Sequence, residues 1–199
     1  LSSVPPDRRT PPAAITGPAS SLMDDESALE PATRHEMAQT IYEEAGRLNR
    51  LLRNLLDMTR LESGALQVNK ESQPLEEVIG AALSRLEEPL ADRTVNIRLP
   101  DDLPFVPIDS ALIEQVFINL LENAIKYTPA DSPIEISAST DGATVVTTIA
   151  DRGPGLPPSD EQRIFEKFYR ARAPASRNGS GVGLGLTICR GIVAAHGGR

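Results

Sequence analysis

The stretch that decides the fold is I-E-Q-V-F-I-N-L-L-E-N-A-I-K-Y, residues 113–127. At the 3.6-residue period of an α-helix it has two faces. The apolar face comprises Val116, Phe117, Leu120, Leu121 and Ala124, and the polar face comprises Asn119, Glu122, Asn123 and Lys126. Oxygens of Asn and Glu suit Mg²⁺, and Lys supplies countercharge, so this ridge can hold a metal ion and phosphates together. Taken alone, the pattern fits an ordinary amphipathic surface helix equally well.

Composition limits the function classes. The 199 residues are enough for one or two domains, and a hydrophobic content of 40% supports a core. A net charge of −8 argues against non-specific nucleic-acid binding. The single cysteine, Cys189, excludes an internal disulfide framework. No apolar run approaches the roughly 18 residues of a membrane span, so we expect no membrane contact within this chain.

Prolines dominate residues 1–31, which favours a flexible arm, with a short helix over residues 13–23 as the alternative. Residues 33–62 predict a long helix with a four-three apolar seam, and Gly64 ends it. The seam comprises Met37, Ile41, Ala45, Leu48, Leu52, Leu55 and Thr59. One such helix cannot bury its seam alone, so it needs the preceding segment, a second copy of the chain, or both.

The rest of the chain predicts an α+β order. Strands are expected over residues 66–70, 95–99 and 105–108, and a helix over 74–92 with Pro74 in its first turn and Pro89 as a candidate end. Asp109 is the predicted N-cap of the polar-faced helix. Residues 134–140 and 144–151 predict a hairpin turning at Asp141-Gly142. Antiparallel pairing is expected, with a short helix over 163–170, a loop over 172–181 and a last helix ending near His196.

Two glycine motifs flank the loop. The first motif is D-R-G-P-G, residues 151–155. The carboxylate of Asp151 can accept a hydrogen bond from an amine such as that of adenine. The glycines let the backbone approach a flat ring closely. The second motif, G-S-G-V-G-L-G-L over residues 179–186, offers backbone N–H groups and a helix end to phosphates. Alone, the first motif is more often a plain turn, and the second is equally often a glycine-rich surface loop.

Together and in this order, N-L-L-E-N-A-I-K-Y, D-R-G-P-G, I-F-E-K-F-Y and G-S-G-V-G-L-G-L closely resemble the N, G1, F and G2 boxes of sensor histidine kinases. Residues 48–64, which contain L-L-R-N-L-L-D-M-T-R-L-E-S-G, look like the second helix of the dimerisation domain of this family. Three longer strings are most similar to the potassium-responsive kinases of the family: N-L-L-E-N-A-I-K-Y, G-P-G-L-P-P and G-V-G-L-G-L-T-I-C-R-G-I-V-A-A-H-G-G.

The resemblance implies an α+β chain in two parts. Residues 1–64 would be a helical-hairpin dimerisation and phosphoacceptor region whose first helix is disrupted by prolines. Residues 65–199 would be a two-layer α/β sandwich that binds ATP, of the fold shared with gyrase and Hsp90. The chain begins without Met and stops at Gly197-Gly198-Arg199, so we expect a fragment cut at both ends, with the ATP-binding domain truncated.

The resemblance also implies site residues. Mg²⁺ and the phosphates would be surrounded by Asn119, Glu122 and Asn123. Lys126 and Tyr127 would line the nucleotide, Asp151 would recognise adenine, and Gly153 and Gly155 would pass beside the base.

The glycines of the second motif, Gly181, Gly183 and Gly185, would form the hinge of a mobile lid on the phosphate side. Phe165 and Phe168 would anchor the near end of that lid.

The chain departs from the family at its start. The phosphoacceptor motif S-H-D/E-L-R-T-P-L aligns with P-P-D-R-R-T-P-P, residues 5–12, which places Pro6 at the histidine position. Proline has no ionisable nitrogen to phosphorylate. Asp7 and Thr10 keep the D-x-x-T spacing with which the family orients a water for dephosphorylating its partner. His35 and His196 are expected to be a solvated and a structural histidine, not acceptors.

The family implies a homodimer, a response-regulator partner and a cytoplasmic portion of a protein anchored in the bacterial inner membrane. One hypothesis is therefore a kinase core that passes phosphate from Mg-ATP to histidine and then to an aspartate. A second is a catalytically silent ATP-binding and dimerisation module. A third is that the opening residues are corrupted and the intact gene encodes His. An ATPase of the gyrase or Hsp90 groups is disfavoured, because those lack the helix over residues 33–62.

Overall fold

The computed structural model describes residues 11–24, 29–171 and 183–199, and its contacts divide the chain into two compact units, Leu1–Leu56 and Asp57–Arg199. The predicted domain limits, 1–64 and 65–199, stay a prediction. Among the described residues, no helix combines the length and the apolar character needed to cross a membrane.

The first unit begins with helix α1, Pro11–Asp24. The flexible arm favoured by the sequence is therefore wrong over this range, and the alternative, a short helix, is confirmed. Two prolines open the helix, where the missing N–H groups would have had no intrahelical partner. Pro18 lies inside the helix and has no N–H for the carbonyl of Ala14. Next to it, the Ser21 hydroxyl donates to the Gly17 carbonyl at 3.2 Å.

Helix α2, Pro31–Glu62, confirms the predicted long helix. Within the first unit, polar pairs one turn apart line its outer surface, such as Gln39 Nε2 donating to Glu43 Oε1 at 3.0 Å. Its apolar seam is open towards the end of this unit, because Leu52 and Leu55 are 58% and 51% exposed, and Leu56 beside the seam is 56% exposed. The first unit therefore ends in an uncovered stripe of leucines.

The main sheet of the second unit has three strands in the order β2–β4–β5: β2 Val95–Arg98, β4 Ile134–Asp141 and β5 Thr144–Ala150. The β4–β5 pair is the predicted antiparallel hairpin, and Gly142 in its turn has φ +60°. Strand β2 pairs with β4 in parallel, with Val95 opposite Ile134. The expected antiparallel pairing is thus wrong for β2, because a helix in the connection between β2 and β4 carries the chain back to the same end of the sheet.

A smaller sheet pairs β1, Glu71–Gln73, with β3, Val106–Ile108, in antiparallel register. The predicted strand over residues 66–70 is wrong, since pairing begins at Glu71. Just before it, the backbone N–H of Asn69 donates to Asp109 Oδ2 at 3.1 Å. A side-chain acceptor thus takes the place of a ladder partner at that position.

The predicted helix over residues 74–92 is split into α3, Leu75–Arg85, and α4, Glu87–Leu90, with Pro74 at the N-cap of α3. The break falls at Leu86, whose φ is −110°. In a continuous helix, the ring of Pro89 would meet the carbonyl of residue 85. Starting a new helix at Glu87 places Pro89 in a first turn, so this proline does not end the helix but restarts it.

Helix α5, Ser110–Tyr127, contains the stretch that opened the sequence analysis, and Asp109 caps it by accepting from the Leu112 N–H at 3.2 Å. Its apolar face packs on β4 and α3 in one core. The fully buried residues of that core include Ile79, Leu121, Ile134 and Ile136. Each buried Ile or Leu contributes about 1.5–3 kcal/mol relative to an exposed one, so this contact orients α5 firmly.

His196 connects the end of α6 to the beginning of α5. It follows helix α6, Gly185–Ala195, and its Nε2 accepts from the backbone N–H of Asp109 at 3.0 Å, while its Nδ1 lies 2.8 Å from the Ile192 carbonyl. An accepting Nε2 together with a carbonyl at Nδ1 assigns the neutral tautomer that is protonated on Nδ1. The expected structural role of His196 agrees with these contacts.

A second apolar cluster lies between α5 and α6 and comprises Val116, Leu184, Ile188, Cys189 and Ile192. Leu61, in the last turn of α2 and within the second unit, packs against it. Gly191 makes room for that leucine, because a Cβ on Gly191 would lie 2.7 Å from Leu61 Cδ1. Beside this contact, Lys167 forms an ion pair with Glu62.

We expect Gly191→Ala to destabilise the protein by about 1–2 kcal/mol, because displacing Leu61 outweighs the better helix propensity of alanine. The matched control is Gly80→Ala in α3, where no atom lies within 4 Å of the added Cβ. That change should stabilise by roughly 0.5–1 kcal/mol. Chemical denaturation measures both, and a stabilised Gly191→Ala variant would show that the contact with Leu61 is dispensable.

Candidate functional site

The polar face of α5 contains a buried carboxamide. Asn119 is only 6% exposed, its Oδ1 accepts from Gln115 Nε2 at 3.4 Å, and its Nδ2 has no hydrogen-bond partner among the described residues. Leaving a buried donor unpaired costs about 1–3 kcal/mol. Glu122, Asn123 and Lys126 follow on the same face and are half-buried. Such a donor, next to a carboxylate and a second carboxamide, marks this face as a place for a polar ligand.

The start of α6 lies against the same carboxamide. A Cβ on Gly185, the first residue of α6, would lie 3.9 Å from Asn119 Cγ. The first backbone N–H groups of a helix have no intrahelical acceptor, and the helix dipole makes this end positive. The structure thus brings together two of the predicted site residues, Asn119 and Gly185, at a position suited to an anion.

The D-R-G-P-G turn lies at the other end of α5. Gly153 N donates to Asp151 Oδ1 at 2.7 Å. A Cβ on Gly153 would lie 3.2 Å from the Tyr127 carbonyl oxygen and 3.4 Å from Thr128 Cγ2, so the turn rests directly on the last residues of α5. Gly155 has φ +70°, which glycine adopts readily. Lys126 Nζ lies 5.1 Å from the centre of the Tyr127 ring beside this turn.

Phe165 and Phe168 hold one side of the segment that leads to α6. The Thr187 hydroxyl of α6 donates to the Phe165 carbonyl at 2.9 Å, and the Phe168 N–H donates to the Gly183 carbonyl at 3.0 Å. Gly183 has φ +74°, and a Cβ there would lie 2.6 Å from the Tyr169 carbonyl oxygen. A glycine is therefore required where these two pieces of backbone meet.

The predicted helix over residues 163–170 is wrong, because only a 3₁₀ turn, Arg163–Phe165, forms. Phe168 has φ +61°, in the left-handed region, and cannot continue a right-handed helix. Phe168 is also 63% exposed, so this ring is presented to solvent rather than packed in the core.

Tyr169 is held by side chains around that turn. Partial burial and a hydrogen bond to the Asp160 carboxyl raise the pKa of Tyr169 above its ordinary value, and Arg163 acts in the opposite direction. The Arg163 guanidinium lies 4.2 Å from the centre of the Tyr169 ring, and Asp160 is 9% exposed. Tyr169 closes the I-F-E-K-F-Y motif, whereas Asp160 and Arg163 precede it and carry no glycine or amide pattern that would single them out in the sequence.

Four predicted site residues, Pro6, Asp7, Thr10 and Gly181, lie outside the described residues. The predicted loop over residues 172–181 lies outside them too. Within the described part of the chain, no group of three or more His, Cys, Asp or Glu side chains is placed to hold a metal ion.

Two family models match this chain. Residues 7–64 match the His Kinase A (phospho-acceptor) domain, and residues 108–199 match the histidine kinase-, DNA gyrase B-, and HSP90-like ATPase. The second match spans α5, the D-R-G-P-G turn and α6. The chain belongs to the histidine kinase family.

Curated histidine kinase relatives align along the whole chain. The sensor protein KdpD of Escherichia coli (strain K12) is 43% identical over 198 residues, which is 100% of this chain and 22% of that protein. KdpD of Clostridium acetobutylicum is 37% identical over 199 residues, again 100% of this chain and 22% of that protein. This chain therefore spans about a fifth of the length of these KdpD relatives.

Solved histidine kinases share the fold. Acinetobacter baumannii AdeS has a TM-score of 0.69 at 23% identity over 97% of this chain and 88% of its own. ShkA in complex with AMPPNP has a TM-score of 0.69 at 23% identity over 94% of this chain and 42% of its own. ThkA in complex with the response regulator TrrA has a TM-score of 0.65 at 23% identity over 94% of this chain and 52% of its own. The expected helical region followed by an α/β domain is confirmed.

Cys189 is buried in the apolar cluster between α5 and α6 and should be inert in the folded protein. Burial raises the pKa of its thiol to about 12, and the nearby Asn119 opposes that shift only in part. Because the thiolate is the nucleophile, we expect reaction with a maleimide at neutral pH to be at least about 100-fold slower in the native protein than in denaturant. Mass spectrometry over time measures the two rates. Comparable rates would show that α6 opens readily.

Proposed function

We propose that the second unit binds ATP along α5, with adenine at the D-R-G-P-G turn and the phosphates at the start of α6. One observation supports this most: a single helix touches both glycine motifs, Gly185 through Asn119 and Gly153 through the Tyr127 carbonyl. Asn119 and Tyr127 are eight residues apart, so the two contacts are separated by about 12 Å along the helix axis. An elongated ligand with a flat ring at one end and negative charge at the other suits this arrangement.

The adenine end would be recognised by Asp151, whose carboxylate can accept from an exocyclic amine. Gly153 and Gly155 would leave room beside the ring, and Tyr127 and Lys126 would line the nucleotide. At the other end, the phosphates would face Gly183, Gly185 and the positive end of α6. Gly181, which lies outside the described residues, would join them according to the sequence motif. Phe165 and Phe168 would anchor the near end of the lid.

Mg²⁺ fits the same face, because Glu122 and Asn123 offer oxygen ligands and are half-buried on α5 beside Asn119. In proteins Mg²⁺ is usually held by one or two such side chains together with substrate phosphates. When bound, it would neutralise charge on the phosphates. Asn119 would add its unpaired Nδ2 as a hydrogen-bond donor to an oxygen of the ligand.

The reaction that we propose for the whole protein is phosphoryl transfer. A histidine nitrogen attacks the γ-phosphorus of ATP, the bond to the β–γ bridging oxygen breaks, and ADP leaves. An aspartate carboxylate of a response regulator then takes the phosphoryl group from the histidine. The ThkA–TrrA complex supports a response-regulator partner for a protein of this fold. Positioning and charge neutralisation would supply most of the rate enhancement.

A homodimer would be formed through α2. Leu52, Leu55 and Leu56 leave an apolar stripe exposed on this helix, and a second copy can cover such a stripe. The sequence resemblance further suggests potassium as the stimulus of the whole protein and an inner-membrane anchor with this portion on the cytoplasmic side.

Pro6 favours a second candidate function for this particular chain. With proline at the acceptor position, the module would bind ATP and dimerise without phosphorylating itself. Asp7 and Thr10 would retain the spacing used to orient a water for dephosphorylating a response regulator.

The nucleotide site is tested with Asn123→Ala. We expect its affinity for Mg-ATP to fall at least about tenfold, since removing a buried polar partner of the ligand costs roughly 1–3 kcal/mol. The affinity of the parent should also fall when EDTA removes Mg²⁺, whereas that of the variant should change little. Isothermal titration calorimetry measures both, with Asn49→Ala on the exposed face of α2 as the matched control. Equal Mg-ATP affinity of parent and Asn123→Ala would contradict the assignment.

The acceptor position is tested with γ-labelled Mg-ATP. We expect the parent chain to bind ATP and take up no label, whereas Pro6→His takes up acid-labile label. Pro5→His, one residue away, is the matched control and should stay unlabelled. Label on the parent would mean that another residue is the acceptor.

A further inference from the structure

Arg93 caps the C-terminal end of α5. It lies in the connection between α4 and β2, is half-buried, and directs its guanidinium at the end of a helix to which it is not adjacent in sequence. Its Nη2 donates to the carbonyls of Ile125 and Thr128, both at 3.4 Å, and its Nη1 donates to the Ser132 carbonyl at 3.2 Å and to the Thr128 hydroxyl. One side chain thus satisfies acceptors on three residues.

This contact has a clear electrostatic reason. The last carbonyls of an α-helix have no intrahelical donor, and the helix dipole makes that end negative. A guanidinium is always charged and presents its donors in a fixed planar fork, whereas the ammonium of lysine is a point charge that cannot span the same set of acceptors. The geometry therefore requires arginine rather than any cation.

The residues that Arg93 holds also support the turn at the adenine end of the proposed site. Thr128 is the C-cap of α5 and has extended backbone, and its hydroxyl donates to the Ala124 carbonyl at 2.5 Å. Gly153 approaches the carbonyl of the preceding Tyr127 and the methyl group of Thr128. The N–H of Gly153 in turn fixes Asp151. A chain of neighbouring groups therefore leads from Arg93 through Thr128 and Gly153 to the Asp151 carboxylate.

We infer that Arg93 is a positioning residue for base recognition: it fixes the backbone of residues 127–128 and thereby sets the distance of Asp151 from the base. This inference rests on the proposed function. Arg93 itself touches α5 and the segment after it and would not touch the nucleotide. Its effect should therefore fall on the choice of base and leave the phosphate end unchanged.

Arg93→Lys tests this role, because it keeps the charge and loses the fork. The matched control is Arg98→Lys at the exposed end of β2. Calorimetry would measure the affinity for Mg-ATP, Mg-GTP and magnesium tripolyphosphate at a temperature where circular dichroism shows each protein folded. We expect Arg93→Lys to weaken Mg-ATP binding about tenfold, with the other two affinities unchanged within about twofold, so that the preference for ATP over GTP narrows.

A second variant tests the same role in case Arg93→Lys does not fold. Thr128→Val removes one acceptor of Arg93 and keeps a methyl group against Gly153, so it should narrow the preference for ATP in the same direction by about twofold to fourfold. Equal weakening of all three ligands, or an unchanged preference in a folded Arg93→Lys protein, overturns the role of Arg93. A parent chain that binds tripolyphosphate but shows no preference for ATP over GTP also overturns this role, whereas a parent that binds neither nucleotide overturns the proposed function itself.

Discussion

The packing of α5 on β4 is the contact on which the rest of the second unit depends. Ile134 and Ile136 on the inner face of β4 are fully buried, as is Leu121 of α5, so rotating or sliding this helix would expose large apolar side chains. Moving even one of them into water costs about 1.5–3 kcal/mol. Because the apolar face is fixed in this way, the polar face has only one orientation, and both glycine motifs are arranged around it. Packing of the apolar face therefore fixes the positions of the amides and the carboxylate on the polar face of the helix.

The two ends of α5 are capped by groups of opposite character, as the helix dipole requires: hydrogen-bond acceptors at the N-terminus and a cationic donor at the C-terminus. The N-terminus is closed by protein groups, since Asp109 accepts from Leu112 N–H and His196 accepts from the Asp109 N–H. The C-terminus is closed by the Arg93 guanidinium. Between these closed ends, the Nδ2 of Asn119 remains without a hydrogen-bond partner among the described residues, although the residue is buried. Capping at both ends holds the helix in place, and the unpaired Nδ2 of Asn119 lies between the two caps on its polar face.

Sequence patterns predicted the elements that have two clearly different faces. The period of α5 and the alternation of the β4–β5 hairpin report burial directly. The seam of α2 predicted the helix correctly, although its leucines Leu52 and Leu55 are exposed. The patterns failed where distant residues decide the outcome. The split between α3 and α4 depends on where the ring of Pro89 can be accommodated. The short turn at Arg163–Phe165 ends because the N–H of Phe168 must reach the Gly183 carbonyl. The parallel pairing of β2 depends on the path of the chain through α5. Arg93 was missed for the same reason, since its partners lie more than 30 residues away.

The described contacts also place the proposed nucleotide site within a single unit. The described residues of the proposed nucleotide site, including Asn119, Asp151 and Gly185, lie in Asp57–Arg199, and the contacts that orient them are made within that unit. Pro6, at the proposed acceptor position, lies outside the described residues. The core that orients the proposed site is also the core that keeps this unit folded, so a change outside the unit gives no reason for the site to decay.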